Sequence, residues 1–218
     1  MPPISLRFLL LFGAIIFVIT LVQLGVLTIA FDKLDLSADS AYLLFFTILV
    51  GSMINIPLFS MKSDPPKLEE LPPQLRELYS MQPFTGKTTV LVNIGGCVVP
   101  VAFCIYLVAH HPLNIFSLLL AIAAVTMLSY RISRRVPGLG FGIPILIAPL
   151  VAAVVSVALD HANAAPMAFI SGTMGVLIGA DLLHIKDIRG MGTPFASIGG
   201  AGSFDGIFIT GIVAVLLA

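Results

Sequence analysis

Tryptophan is absent from the 218 residues, charged side chains make up only 10%, and cysteine occurs twice. Each shortage closes off a class of protein. A soluble domain carries about 25% charged residues, so this chain has too few to clothe a surface facing water. A formal net charge of zero removes any electrostatic reason to expect nucleic acid or a strongly acidic partner. Cys97 and Cys104 stand seven apart in one apolar stretch. On a helix they would lie about 10 Å apart along the axis, beyond the reach of a disulfide, so they read as two small buried side chains. Without tryptophan, an aromatic belt at a membrane surface rests on four Tyr and fifteen Phe.

What the chain has in excess is apolar surface. Hydrophobic residues make up 58% and the mean hydropathy is +1.09, so lipid is the expected solvent for much of the molecule. A helix needs about 20 apolar residues to cross about 30 Å of hydrocarbon. Between Arg7 and Asp32 lie 24 residues without a charge, too long for the apolar core of a signal peptide and followed by no A-x-A cleavage pattern. Further uncharged stretches run from Ser40 to Met61, Thr88 to Ala109, Leu113 to Tyr130, Gly138 to Leu159 and Pro166 to Ala180. Only 13 residues follow Asp205, a rise of about 20 Å, so a seventh span has to begin near Ile198 and include Asp205. The expected fold is therefore an all-α polytopic bundle of about seven transmembrane helices, residues 1–218 forming a single membrane domain.

Seven spans sort the charges. Ten of the eleven Lys and Arg fall on the side of the amino terminus and only Lys33 on the other. By the positive-inside rule the amino terminus is cytoplasmic and the carboxyl terminus outside, the pattern of a protein of the cytoplasmic (inner) membrane. The one sizeable extramembrane piece is the loop 62–87, where KLEELPPQLRELYS reads as a short amphipathic helix on the cytoplasmic surface. The neighbouring TGKTT is not a phosphate loop, because the glycine required five residues before Gly86 is Met81 and no flanking strand pattern is evident.

Polar residues at membrane depth normally face the protein interior or a watery cavity. Counting about 1.5 Å per residue places Asn55, Asn93, Asp181 and Asp205 in one layer of the cytoplasmic half. Six glycines lie between Gly190 and Gly206, which predicts a broken or re-entrant segment before the last span. Span 5 opens with VPGLGFGIP, and Pro57 and Pro100 are expected to interrupt the helices that carry Asn55 and Asn93. Helix breaks beside polar side chains are the material of ion and substrate sites in membranes. Asp181 and Asp205 are the candidate catalytic pair, with Asn55, Asn93, Ser203 and Thr210 as candidate binding residues. The bland alternative is that the asparagines satisfy backbone groups freed by the prolines and the glycines only permit close helix contact.

Two carboxylates held a few Å apart share a proton, so one activates water while the other protonates a leaving group. The stretch GAGSFDGIFITG resembles the Gly-x-Gly-Asp motif of presenilin and signal-peptide-peptidase type intramembrane aspartyl proteases. It departs from that pattern in three ways: Asp205 follows Gly-Ser-Phe, Asp181 follows Ala180 where Tyr is expected, and no Pro-Ala-Leu motif is present. The likeness implies a hydrolase acting on a membrane-embedded peptide. A lone intramembrane carboxylate beside broken helices instead serves proton or cation transport, with a homo-oligomer supplying the pathway that seven spans do not. An assembly or regulatory subunit is the third possibility. Across nearly the whole chain, GSMINIPL, VNIGG, VPGLGFGIP, SGTMGVLIGADLL and SIGGAGSFDGIFITGIVAVLLA resemble a family of small bacterial and archaeal membrane proteins known only as a domain of unknown function. That resemblance implies no particular activity and points to the carboxyl-terminal region as the functional centre. No cofactor is expected. Nor is a metal, since His110, His111, Asp160 and His161 lack helical ligand spacing, and His184 with Asp187 makes only two ligands.

Overall fold

The computed structural model describes residues 13–17, 25–65, 85–136, 140–144, 146–190, 192–200 and 206–218. The amphipathic helix expected within 62–87, Ser203 and Asp205 lie largely or wholly outside these residues. In chain order the elements are α1 (Val26–Asp32), α2 (Ala38–Gly51), β1 (Asn55–Lys62), β2 (Lys87–Asn93), α3 (Val99–His110), α4 (Ile115–Ile132), β3 (Arg134–Val136), β4 (Gly140–Gly142), α5 (Ile147–Leu159), α6 (Ala164–Val176), β5 (Phe195–Ile198) and α7 (Gly206–Leu217). Widened π turns lead into α3, at Ile94–Val98, and out of α6, at Leu177–Leu182, and a 3-10 turn spans Ile185–Gly190.

The helices begin where the sequence caps them. The Ser37 hydroxyl accepts the amide of Ser40 at the start of α2, and the Asn114 side-chain Oδ1 accepts that of Ser117 at the start of α4. Pro100 sits where the π turn Ile94–Val98 passes into α3. Helix α6 is the axis of the molecule. Every residue from Pro166 to Thr173 is buried, and α3, α4, α5 and α7 pack around it. A helix apolar or small on all sides belongs in such a place. Phe169 is wedged edge-on against Phe103 of α3 and Phe208 of α7, at centroid distances of 5.0 and 6.2 Å. Small residues set the spacing elsewhere: a methyl group at Gly175 would stand 2.6 Å from Val125 of α4, and one at Gly211 would stand 2.7 Å from the Thr173 hydroxyl.

The outer faces are apolar too. Leu43 and Phe46 of α2, Ile105 of α3, Phe116, Leu119 and Met127 of α4, and Val154 of α5 are all largely exposed, Phe116 by 77%. Water-facing proteins rarely expose so many large apolar side chains. Among the described residues two helices are long and apolar enough to cross a membrane, Ile115–Ile132 and Ala164–Leu182, and they overlap the uncharged stretches 113–130 and 166–180. Ala38–Gly51, Ile94–His110, Ile147–Leu159 and Ile207–Leu217 are apolar but shorter.

The expectation of an all-helical chain is corrected by two small sheets. β1 pairs antiparallel with β2, and β5 adds parallel to β2, giving the order β1-β2-β5; β3 and β4 form a separate ribbon. The uncharged stretches 40–61 and 88–109 are thus each part helix and part strand. Pro57 and Pro100 do not interrupt the helices bearing Asn55 and Asn93, because both asparagines sit on strands. Thr88, Thr89, Val90 and Val92 are β-branched and favour the extended state. Pro57 lies on the edge strand beside a register shift between Pro57 and Phe59, the one setting in which a sheet tolerates a residue without an N–H.

Candidate functional site

The three strands converge, at one end, on a knot of polar groups. Asn55, the first residue of β1, is the register partner of Asn93, the last of β2. Asn93 is 1% exposed and uses its whole carboxamide: Nδ2 donates to the Ser52 carbonyl at 2.7 Å and to Asn55 Oδ1 at 3.2 Å, while Oδ1 accepts the Gly96 amide at 2.7 Å. The last of these bonds caps the π turn into α3. Asn55 Oδ1 also accepts the hydroxyl of Ser197 on β5, at 2.7 Å. Three separate strands are thereby tied through one oxygen atom.

Two residues beyond Ser197, the Gly199 amide donates to Asp181 Oδ2 at 2.7 Å. Asp181 lies in the π turn that ends α6 and is half-buried. Among the described residues its other carboxylate oxygen has no hydrogen-bond partner. Gly199 has φ +83°, and a methyl group added there would stand 2.7 Å from the Gly96 carbonyl carbon and the Cys97 Cβ. Only glycine offers both the left-handed backbone and the room. Gly199 therefore touches one π turn with its Cα and holds the carboxylate of the other with its N–H. Such widened turns cost helical regularity and recur at functional sites. The backbone around them is tight: a Cβ on Gly95 would collide with the Ile48 carbonyl and the Ser52 amide at the end of α2.

Of the residues singled out from sequence, Asn55 and Asn93 meet directly, and Asp181 joins them through the Ser197–Gly199 segment. Thr210 does not belong to this knot; it is buried in the contact of α7 with α6, where its Cγ2 would be 3.5 Å from a methyl group at Gly172. Ser203 and Asp205 are outside the described residues. Ser52, Ser197 and Gly199 escaped sequence reasoning, since none is charged or in a long polar run. The available signal was Ser197 directly ahead of Ile198 and the Gly199–Gly200 pair, both of positive φ.

Among the described residues no three His, Cys, Asp or Glu side chains gather as metal ligands. His111 lies 3.8 Å from Asp35, and His184 stacks on Tyr130 while its Nδ1 bonds the Gly179 carbonyl. Both free cysteines remain apart, Cys97 half-buried and Cys104 buried. The arrangement at Asp181 offers a carboxylate held at one oxygen by the Gly199 amide and without a hydrogen-bond partner at the other among the described residues, two residues along the chain from the Ser197 hydroxyl that joins the asparagine pair. Chemically that suits holding and releasing a proton.

No curated protein and no solved structure matches the chain. A family model described as a protein of unknown function (DUF1614) matches residues 49–217, a span that takes in the last three residues of α2, the five described strands and the whole polar knot, and the chain belongs to that family.

Proposed function

We propose that the chain is an integral protein of the cytoplasmic (inner) membrane, crossing it about seven times with its amino terminus inside, and that it handles protons or small cations at Asp181. The observation that carries this reading is the half-gripped carboxylate: one oxygen fixed by Gly199, the other without a partner among the described residues. Intramembrane carboxylates are rare and mark ion pathways. Broken backbone beside them is usual where a substrate or ion binds at membrane depth, and here the break consists of two π turns and a strand. Asn55 and Asn93, and Ser203 from the glycine-rich stretch, are proposed to line the route, which a homo-oligomer would complete; Thr210, packed between α6 and α7, is not part of it. The test is proton flux in liposomes driven by a pH gradient. Wild type should conduct or exchange, and Asp181→Asn should not; equal flux in both would end the proposal.

A second reading is kept for one reason. Gly199, which holds Asp181, opens the glycine-rich stretch that leads to Asp205. In an aspartyl hydrolase of the presenilin type, Asp181 and Asp205 would share a proton, one activating water and the other protonating the leaving nitrogen of a membrane-embedded peptide. Cleavage of a transmembrane peptide in detergent by wild type, abolished by either Asp181→Asn or Asp205→Asn, supports it. Cleavage that survives Asp205→Asn removes the pair.

A further inference from the structure

The opposite end of the sheet is as basic as the first end is polar. Lys62, the last residue of β1, is the register partner of Lys87, the first of β2. Like charges directly opposite one another destabilise a strand pair. Arg189, at the end of the 3-10 turn, is drawn beside them by its own carbonyl, which accepts the Ser63 hydroxyl and the Asp64 amide, both at 2.9 Å. The three side chains line one open cavity of about 670 Å³, with Ser63, Thr85 and Asp64. Among the described residues neither the three cations nor Asp64 forms an ion pair. Among the described lining residues, three cations against one carboxylate leave two positive charges in excess.

Beside this cavity the strand changes character. Running from Lys62 back toward Asn55, β1 exposes Phe59, Leu58 and Ile56, a strip about 10 Å long at about 3.3 Å per residue that ends about 20 Å from Lys62. An anionic head at the cations and an apolar tail along the strand describe one kind of ligand. We propose that the Lys62–Lys87–Arg189 cavity binds the phosphate headgroup of an anionic membrane lipid, whose acyl chain lies against β1. Free phosphate shares the head chemistry but leaves the strip uncovered. All three cations are exposed, so salt screens them, and a ligand tethered in the membrane plane overcomes that screening where a dissolved one does not. The proposal rests on the membrane reading above, which fails by itself if alkaline carbonate strips the chain from membranes.

The experiment titrates the full chain in mild detergent with dioctanoylphosphatidylglycerol, dioctanoylphosphatidylcholine or inorganic phosphate, counting bound ligand by native mass spectrometry. The glycerol lipid should bind most tightly. Each basic side chain near a membrane surface contributes about fivefold, so Lys62→Gln with Lys87→Gln should weaken binding about 25-fold. Arginine at both positions should restore it. Asp64→Asn, which no folding defect imitates, should tighten binding about fivefold. The idea is overturned if the double glutamine variant binds as wild type does. Inorganic phosphate binding as tightly as the anionic lipid, or the double arginine variant failing to restore binding, also overturns it.

Discussion

Replacing Gly199 by alanine should be among the most damaging single-methyl changes in the protein. The backbone there has φ +83°, which costs an L-residue about 1–2 kcal/mol. The new methyl group would also sit 2.7 Å from the Gly96 carbonyl carbon and the Cys97 Cβ and 2.8 Å from the Cys97 nitrogen. Main-chain atoms cannot rotate out of the way, so relief requires shifting a π turn, an overpacking cost of about 1–3 kcal/mol. That shift withdraws the Gly199 amide from Asp181, a further loss of about 0.5–1.5 kcal/mol. Because the terms relieve one another, the total should fall at about 2–5 kcal/mol. Gly86→Ala is the internal control. Gly86 has φ +73° but nothing within 4 Å of the added methyl group, so only the backbone term of about 1–2 kcal/mol applies. Chemical unfolding in detergent micelles reads both, with the thiol of Cys104, 3% exposed in the fold, reacting with a maleimide dye as it opens. If Gly199→Ala and Gly86→Ala differ by less than about 0.5 kcal/mol, within the error of such measurements, the tight junction between the two π turns is not there.

Three other outcomes are expected. Asn93→Ala removes three hydrogen bonds from a side chain that is 1% exposed and strands the Ser52 carbonyl and the Gly96 amide, so it should cost about 2–4 kcal/mol in the same unfolding assay. Asp181→Asn keeps an acceptor for the Gly199 amide and should change stability by less than about 1 kcal/mol; Asp181→Leu, which keeps none, should cost more, and equal costs would mean that the bond contributes nothing. Since the chain has no tryptophan, a single one at Leu119 or Met127, 59% and 62% exposed on α4, should be quenched by lipids brominated on their acyl chains. Unquenched emission from both would show that this face of α4 does not meet hydrocarbon.

The long apolar helices were readable from uninterrupted runs without charge, since both run close to the length that a 30 Å slab demands; one starts at the capping Asn114 and the other ends at Leu182, beside the charged segment after Asp181. The strands were not. A count of uncharged residues has no period in it, and LFSM on one side and TTVLV on the other are as apolar as the helices they adjoin. The turn at Ser52–Ile54 and the β-branched run after Lys87 were the local signs of a change of state, and a window of 20 residues averages over both. The meeting of Asn55 with Asn93 was foreseeable as a shared depth, yet through the wrong geometry: equal distances along two supposed helices became facing positions in a hairpin. Asp181 was visible because a carboxylate among apolar residues stands out. Its partner was not, because the group that holds it is a backbone amide, and every residue but proline has one.

The parallel pairing of β5 with β2 sets a constraint on how the molecule is made. Ordinary hairpins finish within a few residues of where they begin, but β2 ends at Asn93 and its second neighbour starts at Phe195. Until the ribosome has released nearly the whole chain, one flank of β2 has no strand to bond. If that flank lies at membrane depth, where water is not on hand to substitute, the nascent protein has to be sheltered by its insertion machinery or by its own helices. Truncation before Phe195 should then produce a chain that is degraded rather than a smaller working one, and synthesis, more than equilibrium stability, would decide how much protein a cell accumulates.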